Sequence, residues 1–260
     1  MTALVLVSVA APVLTRYPPD QVHLGWVWAP PNPLFWLGTD GVGRDLWSRL
    51  LYGGRQSLLI GGAAAAAATG FGSVWGMVAG YFGGRTDGIL SRVTEFWLAT
   101  PLLVWLLFLA GVLGGRLGVA PFAGLVALGL WPGVARAVRA RTMTLRGQPF
   151  VEAERALGLS DAAILFRHLL PLLTGLVLAL GANTLAEAVY VESALSFLGL
   201  GPPPPTPDWG TLLAQAAQAG IWQDPWALVW PGVAIAWAVG SANLLADGIR
   251  AGLELEGEGE

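Results

Sequence analysis

The chain has 260 residues but contains no cysteine and no lysine, and its only histidines are His23 and His168. The absence of cysteine excludes disulfides and thiolate metal sites, and two imidazoles are too few for a histidine-based metal site. A nucleotide-binding P-loop requires a lysine, in the pattern Gly, four residues, Gly-Lys-Ser/Thr, so this chain cannot carry that ATP site. The net charge of −3 gives no indication of nucleic-acid binding.

Charge of either sign is scarce: 12% of the residues are charged, whereas 55% are hydrophobic. A water-soluble domain usually has about a quarter of its residues charged, to cover its surface. Half that proportion, together with long apolar runs, indicates lipid as the solvent. Because these apolar runs are long enough for spanning helices, the sequence predicts an all-α membrane protein, a polytopic helical bundle.

Six stretches are predicted to cross the membrane, since a spanning helix takes about 20 mostly apolar residues. Five of them are clear: Ser57–Gly80, Phe96–Leu113, Gly118–Val138, Leu172–Leu195 and Pro225–Ala246. The sixth, Thr2–Leu14 within residues 1–15, is short and lacks the basic start of a signal peptide, so we interpret it as a first span. Residues 16–56 are then an outer loop, 57–250 the transmembrane domain, and 251–260 an acidic tail predicted to be disordered.

The arginines predict the orientation, because cytoplasmic loops carry an excess of basic residues. With six spans, one side of the membrane receives Arg85, Arg92, Arg136, Arg139, Arg141, Arg146, Arg155, Arg167 and Arg250. The other side receives Arg16, Arg44, Arg49, Arg55 and Arg116. The first side is therefore predicted to be cytoplasmic, and with it both termini.

Residues 139–171, here called the coupling loop, are predicted to form two short helices with a break between them. Pro149 suits a first helical turn, and Gly158 can end that helix in the left-handed conformation. Ser160 can cap a second helix, which Pro171 is expected to break. The first helix has an apolar face at helical spacing, made by Phe150, Ala153, Ala156 and Leu157. By physics alone this face suits the membrane surface or its own bundle as well as a soluble partner.

The coupling loop resembles the EAA loop of ABC importer permeases, whose pattern is Glu-Ala-Ala, three residues, Gly, nine residues, Ile, one residue, Leu-Pro. The positions that match without a gap are Glu152, Ala153, Gly158, Leu170 and Pro171. Two positions depart from the pattern, because Glu154 stands where a second Ala is usual and His168 where Ile is usual. Arg167-His168 before Leu-Leu-Pro is nevertheless common in the peptide branch of that family.

Four further blocks resemble the dipeptide, oligopeptide and nickel group of these permeases, of the "C" type. In chain order they are Gly38–Leu58, Gly83–Pro101 with Glu95 in place of the usual Asp, Ala194–Gly210, and Asn243–Arg250. The resemblance covers about residues 34–250. The last block usually ends in Arg-Asp-Ala-Leu-Asp-Pro in this family, whereas here it ends in Arg250-Ala-Gly-Leu-Glu-Leu.

The resemblance implies the fold of a type I ABC importer permease in the cell (inner) membrane. It implies four partners: a homologous second permease, two ABC ATPases that bind ATP and Mg²⁺, and an extracytoplasmic binding protein. This chain is then expected to bind no cofactor and to catalyse nothing. The implied ATPase-coupling residues are Glu152, Ala153, Gly158, Arg167, His168, Leu170 and Pro171. Di- or oligopeptides are the expected substrates, with nickel chelates or another small solute as the alternative.

Polar residues inside the fifth predicted span are a second group of candidates, because a carboxylate in lipid is costly. They are Asn183, Glu187 and Glu192. They are expected either to line the translocation pathway or to make structural contacts, including contacts with a second permease. For Glu187 we favour the structural interpretation. Glu192 lies nearer the outer surface and is expected to be solvated.

A charged cluster in the outer loop comprises Asp40, Arg44, Asp45 and Arg49. The spacing pairs Asp40 with Arg44 and Asp45 with Arg49 if this segment is helical. We interpret the cluster as a salt-bridged scaffold, and contact with a binding protein is the alternative. Asp87, in the first inner loop, is expected to pair locally or with the coupling loop.

Two other classes of function stay open. An ion-coupled secondary transporter needs ionisable groups deep in several spans, and only the fifth offers a clear candidate. A membrane scaffold without transport activity is the third class. Purification of the complex separates all three, because only an ABC permease brings with it a second permease and ATPases.

Overall fold

The computed structural model describes residues 1–115, 117–219 and 225–257, and the regular secondary structure in those ranges is helical. The helices are α1 (Thr2–Val9), α2 (Ala11–Leu14), α3 (Leu46–Phe82), α4 (Gly84–Ala99), α5 (Leu102–Val112), α6 (Val119–Arg146), α7 (Pro149–Ala156), α8 (Asp161–Ala163), α9 (Leu170–Phe197), α10 (Trp209–Ala219) and α11 (Pro225–Gly257). The all-α prediction is confirmed. Arg116, which entered the predicted orientation, lies outside the described residues.

Within the described ranges, four helices are long and apolar enough to cross a membrane: α3, α6, α11, and the continuous helix Asp161–Phe197 that contains α8 and α9. The bent pair α4 and α5 makes a fifth span if it is counted as one. These helices support a multi-pass membrane protein. The prediction of six spans is not confirmed by them.

The predicted first span, Thr2–Leu14, consists of two short helices that part at Ala10. Pro12 has no N–H to donate to the carbonyl of Ser8, and its ring crowds that turn, so the helical hydrogen-bond ladder is interrupted there. Each piece is also well short of the roughly 20 residues that a span requires.

The predicted second span, Phe96–Leu113, is wrong as a single straight helix. The axis turns by 91° between α4 and α5, at a break that contains Pro101. Thr100 there is extended, with φ −102° and ψ 136°, because the proline ring disfavours the helical conformation of the residue before it. We call this bend the elbow. It separates the polar helix α4 from the apolar helix α5.

Two predicted boundaries also move. α3 begins at Leu46 rather than at Ser57, which shortens the outer loop, because the Asp45 carboxylate caps this helix by accepting from the Ser48 amide at 2.9 Å. The tail predicted to be disordered from residue 251 continues α11 as far as Gly257. Its leucines and glutamates are good helix formers, and extending an existing helix needs no new nucleus. Residues 258–260 lie outside the described part.

α3 and α6 pack closely because glycines remove side chains from the contact. Gly72, Gly76 and Gly80 follow one another at four-residue spacing, so they share one face of α3. A Cβ added to any of them would lie within 2.7 Å of a carbonyl oxygen of α6. Small residues at such spacing let two membrane helices approach each other. This contact brings the start of the coupling loop, at the end of α6, beside the end of α3.

Candidate coupling loop and membrane polar sites

The first helix of the coupling loop is α7, which begins at Pro149 as predicted. It ends in a pair of backbone hydrogen bonds, from Leu159 N to Glu154 O at 3.2 Å and from Gly158 N to Arg155 O at 3.0 Å. This is the Schellman arrangement, which needs a left-handed residue, and Gly158 has φ +82°. An added Cβ there would meet nothing within 4 Å, so the backbone conformation alone requires glycine.

The second helix starts as predicted but does not end where predicted. The Ser160 hydroxyl caps it by accepting from the Ala163 amide at 3.3 Å. The helix then continues through Pro171, where we predicted a break. A π-helical turn, Ile164–Leu169, precedes the proline, and Leu170 N donates to Leu165 O five residues back. This wider turn re-forms the hydrogen-bond ladder around a residue that has no N–H to give.

The apolar residues of the coupling loop divide between two surfaces. Val151 is fully buried and packs with Val138 and Leu169 in the core between α3, α6 and α9. Phe150 packs against the same core, so it leaves the apolar face predicted for α7. The outward face of α7 carries Glu152, Ala153, Ala156 and Leu157, all exposed, and Leu157 is 79% exposed. The loop is thus attached to its own bundle but is not sealed inside it.

Glu154 and His168 are joined across the coupling loop. Glu154 Oε1 lies 2.6 Å from Nδ1 of His168, and both side chains are only partly exposed. This contact ties α7 to the π-helical turn before α9. The two residues are also the two departures from the usual EAA pattern, so one departure provides the partner of the other. Arg167, beside His168, is exposed.

Tyr81, near the end of α3, connects both helices of the loop, and sequence reasoning missed it. Its hydroxyl lies 2.6 Å from Oδ1 of Asp161 and accepts from Nε of Arg155 at 3.4 Å. The Arg155 guanidinium also lies over the tyrosine ring, 4.9 Å from its centroid. The ring itself is buried. No spacing rule joins positions this far apart in sequence, and only the packing of α3 against the loop reveals them.

Asp87 of α4 binds the first residue of the coupling loop. Arg139 Nη2 donates to Asp87 Oδ2 at 2.6 Å, and the Nε of the same guanidinium bonds the other carboxylate oxygen. Such a two-point arginine–carboxylate contact fixes orientation as well as distance. The prediction that Asp87 pairs with the coupling loop is confirmed, and α4 is thereby attached to α6.

The outer charged cluster is satisfied within the chain. Asp40 binds Arg44 at 2.7 Å and also lies 3.4 Å from Arg49, and both guanidinium groups donate to Gln215 of α10 at 3.3 Å. The predicted pairing of Asp45 with Arg49 is wrong, because the carboxylate of Asp45 is used to cap α3. Asp40 and Arg49 are buried. The cluster therefore connects the outer loop to α10.

Glu192 is fully buried, so the expectation that it is solvated is wrong. Its carboxylate accepts from Ser57 Oγ at 3.2 Å and from Ser193 Oγ at 3.0 Å. Ser57 in turn accepts from the Trp209 amide at 3.1 Å, which joins α3, α9 and α10. Asp208, in the neighbouring loop, is also buried, and its burial raises the pKa of that carboxyl. Glu192 is thus a structural link between helices.

Glu187 points elsewhere, onto the exposed surface of the bundle. It lines a cavity of about 220 Å³ that lies against the elbow, together with Trp97, Trp105 and Gly133. Asn183, one turn earlier on α9, is half-buried and does not line this cavity. The structure therefore separates the three polar residues predicted in the fifth span: Glu192 is internal, and Glu187 is presented outward.

Known proteins resemble this chain over most of its length. The family described as "binding-protein-dependent transport system inner membrane component" matches residues 72–255. A putative peptide permease protein of Brucella suis biovar 1 is 35% identical over 251 residues, which is 96% of this chain and 82% of the relative. The oligopeptide transport system permease protein OppC of Bacillus subtilis is 34% identical over 253 residues, which is 96% of this chain and 81% of the relative. The dipeptide transport system permease protein DppC of Alkalihalophilus pseudofirmus is 33% identical over 254 residues, which is 98% of this chain and 83% of the relative. The chain belongs to the family of binding-protein-dependent transport system inner membrane components.

Proposed function

We propose that the chain is one of two permease subunits of an ATP-driven ABC importer for peptides. Family membership supports the transport role, and the names of the relatives, which are peptide, oligopeptide and dipeptide permeases, support the substrate class. The second permease is homologous to this chain, and a binding protein delivers the peptide from outside. Two ATPase subunits bind ATP and Mg²⁺, and this chain itself performs no chemistry.

The proposed membrane arrangement has six spans and both termini in the cytoplasm. In it, α1 with α2 supplies a short first span around which the bilayer thins, and the bent pair α4 and α5 supplies another beside the four long helices. The distribution of arginines supports this orientation, because the end of the bundle that carries the coupling loop also carries most of the basic residues.

The proposal rests on the difference between the two sides of α7, one attached to the bundle and one exposed. Its inner side is held by Val151, by Glu154 with His168, and by Arg155 with Tyr81. Its outer side leaves Leu157 and its neighbours uncovered. A helix that is fixed to its bundle and exposes apolar side chains on the other face suits binding to a soluble partner.

Such a helix transmits motion. Closure of the ATPase pair on ATP displaces α7, and the contacts through Tyr81 and His168 pass the displacement to α3 and α9. Gly158 sets the angle between the two loop helices, and the turn before Pro171 leads directly into a span. The proposed coupling residues are Glu152, Ala153, Gly158, Arg167, His168, Leu170 and Pro171.

The substrate pathway is proposed to run along the face of α9 that presents Glu187. A carboxylate within a span faces a partner or a water-filled path in preference to lipid. Asn183 and Glu192 have supporting roles, since the first is half-buried and the second is bonded to serines inside the bundle. The outer cluster of Asp40, Arg44, Asp45 and Arg49 shapes the surface that meets the binding protein.

Purification from membranes tests this proposal. The chain is tagged and expressed together with the genes that neighbour its own, and the complex is isolated in mild detergent. We expect a second permease and two ATPases to co-purify, and ATP-dependent peptide uptake after reconstitution with the binding protein. Isolation of the chain without an ATPase, together with uptake driven by an ion gradient, would identify a secondary transporter instead.

A further inference from the structure

The cavity at the elbow has a composition that the coupling role does not explain. Its wall combines the elbow residues Trp97, Pro101 and Trp105, one face of α6 at Gly133, and the carboxylate of Glu187 from α9. The bend of 91° opens this space, because α5 turns away from the direction of α4. The cavity measures about 220 Å³, which is smaller than the roughly 300 Å³ or more of a site that encloses a whole small molecule.

Both tryptophans of the elbow, Trp97 and Trp105, line this space. The rings of Trp97 and Trp105 stack across the elbow, with centroids 5.1 Å apart and planes 10° apart. Their indole N–H groups are buried and have no acceptor among the described residues. Buried donors are nearly always bonded, so two orphan donors at one bend call for an acceptor that the described part of the chain does not supply.

The charge of the cavity is equally incomplete. Glu187 makes no hydrogen bond or ion pair among the described residues, and no basic side chain lines the cavity. The carboxylate lies within a helix apolar enough to span the membrane, where an uncompensated charge is costly. A cation that enters the cavity from outside the chain would compensate this charge.

We propose that this cavity binds the ammonium group at the amino terminus of a peptide in transit. A carboxylate attracts an ammonium directly, and the faces of tryptophan rings attract it through their quadrupoles. Because the indole N–H groups are buried in the unliganded chain, the first peptide carbonyls accept from them only once the rings shift on binding. The volume admits one end of a peptide and leaves the rest outside, so side chains along the substrate are not selected here. This inference rests on the proposed function, since it assumes that peptides are the cargo.

Photolabelling of the assembled complex tests the site without the binding protein. The probe is a radiolabelled tripeptide with benzoylphenylalanine at its second position, and the competitors are trialanine and N-acetyl-trialanine. We expect the probe to label this chain, and trialanine to compete at least roughly tenfold better than its acetylated form. Glu187→Gln should lower labelling about tenfold or more. Glu95→Gln removes an exposed carboxylate from the same elbow outside this cavity and should leave labelling unchanged.

Tryptophan variants separate the aromatic face from mere bulk. Trp105→Phe loses the indole N–H but keeps an aromatic ring, so it should label several-fold more than Trp105→Leu, which keeps apolar volume without a ring. Equal labelling by both variants would overturn the role of the ring, and therefore the proposed site.

The remaining outcomes are also decisive. Equal competition by the two trialanines, or full labelling of Glu187→Gln, would overturn the site, and so would absence of labelling in a wild-type complex that imports peptides. Loss of the second permease from the purified Glu187→Gln complex would assign this carboxylate to the subunit interface and overturn the proposal too. Failure of the wild-type complex to import peptides with its binding protein would instead overturn the proposed function.

Discussion

Glu154 and His168 compensate each other: Oε1 of the glutamate lies 2.6 Å from Nδ1 of the histidine, and both stand where the EAA pattern has another residue. A usual alanine at 154 would leave the histidine without this partner, and a usual isoleucine at 168 would leave the carboxylate without one. Both groups are mostly covered, so a lost partner is not fully replaced by water. The pair therefore acts as a unit that attaches α7 to the start of α9.

A double-mutant cycle tests this relationship. We expect Glu154→Ala and His168→Ile each to lower the midpoint of thermal unfolding of the purified chain, and the double variant to recover part of the loss. For a partly exposed pair, a coupling energy of roughly 0.5–1 kcal/mol is expected. Strictly additive effects would show that the two residues stabilise the loop independently.

Replacement of Gly158 by valine should disturb the bend between the two loop helices. A β-branched residue in the left-handed conformation costs about 1–2 kcal/mol, although the space around Gly158 is open. We expect a several-fold fall in ATP hydrolysis stimulated by the binding protein. Gly147→Val is the matched control, because that glycine lies in the same loop with an ordinary φ of −81°. Normal stimulation in Gly158→Val would contradict a mechanical role for the bend.

Tyr81→Phe removes one hydroxyl and leaves the buried ring in place. The contacts to Asp161 and Arg155 are lost, at a cost of about 1–2 kcal/mol, while the packing of the ring persists. We expect fewer peptides transported per ATP hydrolysed, since α3 no longer follows the loop. Tyr52→Phe serves as the control, because the hydroxyl of Tyr52 has no hydrogen-bond partner among the described residues. An unchanged ratio of transport to hydrolysis would exclude Tyr81 from this connection.

The glycine contact between α3 and α6 predicts a sharp difference between two alanine substitutions on one helix. A Cβ at Gly76 would lie 2.4 Å from the Ala135 carbonyl oxygen, which as a backbone atom cannot move aside cheaply, whereas a Cβ at Gly70 meets nothing within 4 Å. We expect Gly76→Ala to destabilise the bundle by roughly 1–3 kcal/mol and Gly70→Ala to be neutral or stabilising. The yield of folded complex measures both. Equal yields would mean that α3 and α6 leave room for a Cβ at Gly76, which would contradict the close contact.

The features predicted correctly were those that neighbouring residues determine. Pro149, Gly158 and Ser160 define the loop helices by local backbone chemistry, and the structure places all three as predicted. Two other prolines, Pro101 and Pro171, were less informative. Pro101 bends the chain sharply, whereas Pro171 lies within a continuous helix. Local sequence does not decide between these outcomes, since a π-helical turn relieved one of them.

Contacts between distant segments could not be predicted from spacing. We predicted a pair between Asp45 and Arg49 on the assumption that both lie in a helix. The helix α3 begins only after Asp45, and the carboxylate of Asp45 caps it. Glu192 was expected to be solvated because it lies near the outer end of its predicted span. Instead it is buried, beneath the start of α10. In both cases the competing partner came from packing that the pattern of residues does not encode.

The central claim is that the exposed face of α7 receives motion from a separate ATPase. The most direct measurement places photoreactive benzoylphenylalanine at Leu157 of the reconstituted complex, and in a second sample at Leu24, which is equally exposed but lies in the outer loop. We predict that the Leu157 probe cross-links to an ATPase subunit, with a yield that changes between ATP and ADP, and that the Leu24 probe does not. Absence of that cross-link in a complex that still transports, or an ATPase cross-link from Leu24, would contradict the account.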